Sequence, residues 1–212
     1  MEVVVEALNL GQTQEHSAGG SYLFVDLETG GLTPDRHSVL QIAAVITDQN
    51  LCVQSYFMSY VKPHPSLIVT PEALSINQLR LEELEMAPDE ALVAQALSNF
   101  ASLTSGKPRF AGFNCKFDLQ FLDELWRRQG ITIPPYKVPW LDVLDVARIK
   151  PEFDSQLVNF KLGTLAEHMG IDNKSVHDAL ADLIITIEVA KRLKVMPYRE
   201  GATILETARF SI

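Results

Sequence analysis

The stretch Tyr22-Leu23-Phe24-Val25-Asp26-Leu27-Glu28-Thr29-Gly30-Gly31-Leu32 decides the fold of this chain. Its aromatic and β-branched run reads as a buried strand, and the glycine pair ends it. Side chains alternate along a strand, so Asp26 and Glu28 leave one face while Leu27 leaves the other. Two adjacent carboxylates at a buried strand end repel each other, by roughly 4 kcal/mol at about 4 Å and an effective dielectric of about 20. A proton or a cation must neutralise such a pair. The expectation is a divalent-metal site, although an Asp-x-Glu pair alone also suits a solvated loop.

Outward from this strand, two more apolar segments follow at 39–47 and 52–60, with Asp48-Gln49-Asn50 as a turn between them. Short turns favour antiparallel pairing, so the three form a meander. Pro63, Pro65 and Pro71 then break the chain. Thr70 suits the N-cap of a short helix with Pro71 at its first position. Helical spacing of Leu92, Ala96, Leu97, Phe100 and Leu103 predicts a helix within 88–103. A fourth strand is expected at 108–113, a helix at 115–129, a fifth strand at 136–141, and helices at 142–149, 161–169 and 176–193. The result is an α/β domain: a mixed five-stranded sheet, with a three-strand antiparallel meander plus two parallel strands and helices on both faces. Residues 1–20 read as an N-terminal arm or linker with a short β-like start, 21–194 as the domain, and 195–212 as a C-terminal extension.

Composition narrows the function. With 47% apolar and 21% charged residues the chain is globular. The longest apolar stretch, 39–46, is interrupted by Gln41 and is too short for a bilayer. The acidic start Met1-Glu2-Val3-Val4-Val5-Glu6 is unlike a signal peptide. Cys52 and Cys115 form no disulfide framework, which points to the cytoplasm. A net charge of −9 argues against nucleic-acid binding through a broad basic surface. It leaves open a site that holds phosphate through metal ions.

Two further segments carry polar groups in apolar surroundings. In Phe113-Asn114-Cys115-Lys116-Phe117-Asp118, Asn114 and Asp118 lie one helical turn apart. Asn114 also suits a helix cap and Asp118 an exposed position. In Val176-His177-Asp178-Ala179-Leu180-Ala181-Asp182, Asp178 suits an N-cap and His177 a solvated histidine. Asp182 is surrounded by small and apolar residues and needs a partner. Together, Asp26, Glu28, Asp118 and Asp182 offer four hard oxygen ligands, and His177 a group that titrates near neutrality. That set suits two Mg²⁺ or Mn²⁺ ions acting on a phosphodiester.

At these three segments the chain resembles the DEDDh 3′–5′ exonucleases of the DnaQ-like, RNase H-like superfamily. Asp26-Leu27-Glu28-Thr29 resembles their first motif, Asn114 with Phe117-Asp118 their second, and His177-x-Ala179-x-x-Asp182 their third. The resemblance spans about residues 21 to 193 and implies an RNase H-like sheet. It implies that Asp26 bridges both ions, that Glu28 and Asp182 hold the ion carrying the attacking water, that Asp118 supports the second ion, and that His177 is the general base. Glu28 and Thr29 would meet the 3′-terminal nucleotide and Leu32 its base, with Asn114 and Lys116 as further substrate contacts. The implied substrate is a single-stranded 3′ end, DNA in preference to RNA, and the products are nucleoside 5′-monophosphates. An exoribonuclease, a proofreading module docked on a DNA polymerase, a homodimer and an inactive binding domain are the alternatives. The chain departs from the family at Gly30, where a second Thr is frequent, and at Phe113, where His is frequent. Phe113 reads as core or as a stacking platform. Asp142 reads as a helix N-cap and Asp145 as an ordinary surface acid.

Overall fold

The computed structural model describes residues 4–7, 21–104, 106–132, 134–154, 156–173 and 178–194. Among these residues six strands form one mixed sheet: β1 (Val4–Ala7), β2 (Tyr22–Thr29), β3 (Val39–Thr47), β4 (Val53–Tyr60), β5 (Arg109–Gly112) and β6 (Lys137–Asp142). Their order is β1-β4-β3-β2-β5-β6. β2, β3 and β4 are the antiparallel meander, and β5 and β6 continue from β2 in parallel. This is the expected five-stranded sheet with one strand added. Val4–Ala7, within the stretch read as an arm, pairs antiparallel with β4.

The described residues form eight helices: α1 (Pro71–Asn77), α2 (Leu81–Leu84), α3 (Glu90–Ala101), α4 (Cys115–Gln129), α5 (Val143–Arg148), α6 (Pro151–Asp154), α7 (Leu162–His168) and α8 (Ala179–Arg192). Six of them lie where the sequence signals fall, and two, α2 and α6, are not expected from the sequence. Thr70 caps α1, accepting from the Ala73 amide at 3.1 Å, with Pro71 at the first helical position.

The alternation read in β2 divides the core in two. Leu23, Val25 and Leu27 pack with α3 and α4 on one face of the sheet. Tyr22 and Phe24 pack with α5, α7 and α8 on the other. Burial of side chains such as Phe24, Phe110 and Trp126 stabilises each layer by about 2–3 kcal/mol per residue relative to exposure. Arg128 Nε on α4 donates to Glu90 Oε1 on α3 at 2.7 Å, tying the helices of the first layer together. Among the described residues no helix is long and apolar enough to cross a membrane.

β2 and β5 part before the acids. Their parallel register runs Tyr22 with Arg109, Leu23 with Phe110, and Phe24 with Ala111. At Gly112 the two backbones touch, since a Cβ there would lie 2.9 Å from the Val25 carbonyl oxygen. Asn114 then takes a left-handed conformation (φ 60°) and turns the chain into α4. Asparagine tolerates that region better than most residues. The carboxyl end of β2 is thus flanked by an antiparallel neighbour and a departing parallel one, the position where α/β sheets open a crevice.

Candidate metal-binding active site

The crevice collects the acids. Asp26 and Glu28 project from β2 toward the α8 layer, and Asp182 enters from the first turn of α8. One carboxylate oxygen from each lies within 4.8 Å of the other two. Asp118 arrives from the first turn of α4, only 3% exposed. Its Oδ1 accepts from the Leu27 amide at 3.1 Å, so the strand residue between the first two acids holds the fourth. The reading of Asp118 as an exposed residue is therefore corrected. Asn114 occupies the N-cap position of α4 in a left-handed conformation and makes no side-chain capping bond. The backbone N–H of Asn114 donates to Asp142 Oδ1 at 3.0 Å.

Crowding raises the proton affinity of these acids. Burial, followed by the charges of Asp118, Glu28, Asp182 and Asp178, pushes the Asp26 carboxyl well above the usual carboxylate range. Burial, then Asp182 and Asp178, lifts Glu28 from 4.5 to about 7. Burial raises Asp118 well above its ordinary value, opposed by backbone hydrogen bonds including that from Leu27. A donor set made only of carboxylate oxygens suits a hard divalent cation, and positive charge reverses the repulsion that burdens the set. The residues fit a metal.

Thr29 is buried, and its hydroxyl donates to the Gly31 carbonyl at 2.7 Å. Leu32 is 83% exposed at the tip of the turn after β2, free to meet a ligand. Lys116 is exposed in the first turn of α4. Phe113 is half-buried and packs on the α8-side core, as its core reading has it. Asp142 is the N-cap of α5, accepting from the Leu144 amide at 3.0 Å. His177 lies outside the described residues. Asp178, which follows it, caps α8 by accepting from the Ala181 amide at 3.1 Å.

Three structural contributors carry weaker sequence signals. Gln41 bonds Asp178 and the Ala179 amide, and its signal is a lone polar residue inside the apolar run 39–46. Asn77, buried in α1, donates to the Thr29 carbonyl at 3.0 Å. The segment before α1 crosses so close to Gly30 that a Cβ there would meet the Ile68 carbonyl oxygen at 2.8 Å. That contact leaves no room for a side chain at Gly30.

A family model described as exonuclease, RNase_T, matches residues 23–190. The chain belongs to the RNase_T exonuclease family. Its sheet and helices are those of the DnaQ-like, RNase H-like exonucleases. It is 30% identical over 192 residues to exodeoxyribonuclease I of Escherichia coli, covering 82% of this chain and 40% of that protein. It is 27% identical over 184 residues to the PolC-type DNA polymerase III of Caldanaerobacter subterraneus subsp. tengcongensis, covering 85% of this chain and 12% of the polymerase. A zinc-bound form of the E. coli exonuclease I complex with single-stranded DNA superposes with a TM-score of 0.71 at 27% identity, covering 81% of this chain and 40% of that one. The RNase_T chain described here therefore spans less than half the length of each of these relatives.

Proposed function

We propose that this chain is a metal-dependent 3′–5′ exonuclease of the DEDDh type that trims single-stranded DNA and releases nucleoside 5′-monophosphates. The observation that carries the reading is the convergence of Asp26, Glu28 and Asp182 within 4.8 Å, with Asp118 fastened to the strand residue between the first two. Two Mg²⁺ or Mn²⁺ ions, which these four carboxylates would hold, would supply an activated water and a counter-charge for the leaving oxygen. His177 takes the proton of the attacking water, a role suited to a group that titrates near neutrality. Glu28 and Thr29 receive the terminal nucleotide, exposed Leu32 packs on its base, and Asn114 and Lys116 meet the strand beside α4. The catalytic unit is residues 21–194, with 195–212 as an extension. Free Cys52 and Cys115 accord with a cytoplasmic setting.

Similarity to PolC-type polymerases favours a second reading, a proofreading module that works beside a DNA polymerase. One experiment tests the activity itself: 5′-labelled single-stranded DNA and matched RNA incubated with Mg²⁺, Mn²⁺ or EDTA. A 3′-shortening ladder on DNA that EDTA abolishes is the expected result. A faster ladder on RNA would reassign the enzyme as an exoribonuclease, and no cleavage with either metal would overturn the assignment. Co-purification of the intact protein with a polymerase tests the second reading.

A further inference from the structure

Gln41 is 1% exposed in a strand whose other residues from Val39 to Ile46 are apolar. A buried amide stabilises a fold only when its hydrogen bonds are satisfied, and an apolar residue would suit the interior of this strand better. Both ends of the amide are used. Nε2 donates to Asp178 Oδ2 at 3.1 Å, and Oε1 accepts from the Ala179 amide at 3.1 Å. The partners fix the orientation of the amide: one is a carboxylate that only accepts, the other an N–H that only donates. Gln41 lies opposite Glu28 in the β2–β3 ladder. The two oxygens of Asp178 are divided, one on Gln41 and the other on the Ala181 amide as the α8 cap. The Asp182 amide in turn donates to the Asp178 carbonyl at 2.9 Å, one helical turn on.

We propose that Gln41 is a positioning residue: its side-chain amide sets where α8 begins on β3, and through that start where Asp182 stands relative to Asp26 and Glu28. The proposal rests on the metal-dependent reading above. Loss of a group that orients a metal ligand typically costs about 10–100-fold in metal affinity or activity. The Gln41 side chain bonds Asp178 and Ala179, neither of them a proposed substrate contact, so its loss should appear in metal affinity and kcat and spare the KM for the nucleic acid.

The test uses the full chain with Gln41→Met, which keeps length and volume while removing both hydrogen bonds. Mn²⁺ binding followed by electron paramagnetic resonance should weaken by about 10–100-fold. kcat on single-stranded DNA should fall while KM stays within about twofold. Asp178→Asn removes a charge in any background, but only beside Gln41 does it also oppose donor to donor. The double variant should therefore lose less than the product of the single losses. Wild-type Mn²⁺ affinity and kcat in a Gln41→Met protein with lowered thermal stability would overturn the proposal and leave Gln41 a purely structural residue. Gln41→Leu, suited to a buried strand, decides the same question if the Met variant does not fold. A wild-type protein that binds Mn²⁺ but cleaves nothing refutes the exonuclease assignment alone, because the Mn²⁺ comparison still judges Gln41. A wild-type protein that binds no Mn²⁺ overturns both.

Discussion

The amide of Leu27 donates to Asp118 Oδ1 across 3.1 Å, so α4 is anchored on the residue that separates Asp26 from Glu28. A single peptide thus fixes the spacing of three acids: two by the pleat of β2 and the third by a hydrogen bond. The acids repel one another, and this geometry holds them together regardless. Activity and metal-free stability should therefore respond in opposite directions when a charge is removed.

Asp26→Asn and Asp182→Asn should each lower the cleavage rate by on the order of 10³-fold or more, since each removes a ligand from a site that supplies several kcal/mol. In EDTA the same variants should melt at a higher temperature than wild type, because a buried like-charge contact is gone. Paired activity and melting measurements check both. A loss of activity together with a lower melting temperature in EDTA would contradict the repulsion described for the site.

The metal-free protein should lose stability as pH rises from about 4.5 to about 7, the interval over which folded Glu28 retains a proton that its unfolded form has released. Below this window both states are protonated and the penalty is absent. Above it the penalty is complete, on the order of 3 kcal/mol. Glu28→Gln should flatten the profile, and added Mg²⁺ should restore stability on the alkaline side by binding only the folded state. Thermal melts in EDTA and in Mg²⁺ between pH 4 and about 8 measure this. A wild-type profile that rises across the window would contradict it.

His177→Ala should reduce kcat by about 10²–10⁴-fold, the range for a lost general base, and leave Mn²⁺ affinity near wild type. Single-turnover cleavage alongside Mn²⁺ titration separates the two effects. A large loss of metal affinity would make His177 a ligand instead of a base.

Gly112→Ala should destabilise the fold by roughly 1–3 kcal/mol, because the new methyl meets a main-chain oxygen that cannot swing aside. The expected fall in melting temperature is roughly 3–10 °C. Ala in place of Gly106, where a Cβ meets nothing within 4 Å, tests backbone conformation alone at a positive-φ site.

The fold was legible wherever periodicity and punctuation agreed. β3 is found at Val39–Thr47, where its apolar run lies, and α4 at Cys115–Gln129, because Asn114 and Gly130 bracket a single apolar stripe. β1 was harder to read: four residues carry little periodic signal, and its sheet membership depends on β4, some fifty positions away. In the site, Asp26, Glu28 and Asp182 were legible because acids among apolar neighbours need a cause. The burial of Asp118 was ambiguous, since an acid in a first helical turn looks the same whether solvated or inserted. Gln41 and Asn77 act through bonds to main-chain or capping groups far along the chain, and no local pattern announces such partners.

Strand β1 has a consequence for handling the domain. Without it, β4 would end the sheet and offer its outward row of amides and carbonyls to any passing strand. A protein trimmed to begin at Ser21 keeps every acid of the site yet loses the pairing along Ser55–Met58, the four β4 residues that β1 covers. Trimming of that kind should show itself as concentration-dependent self-association, with the chemistry of each folded copy untouched.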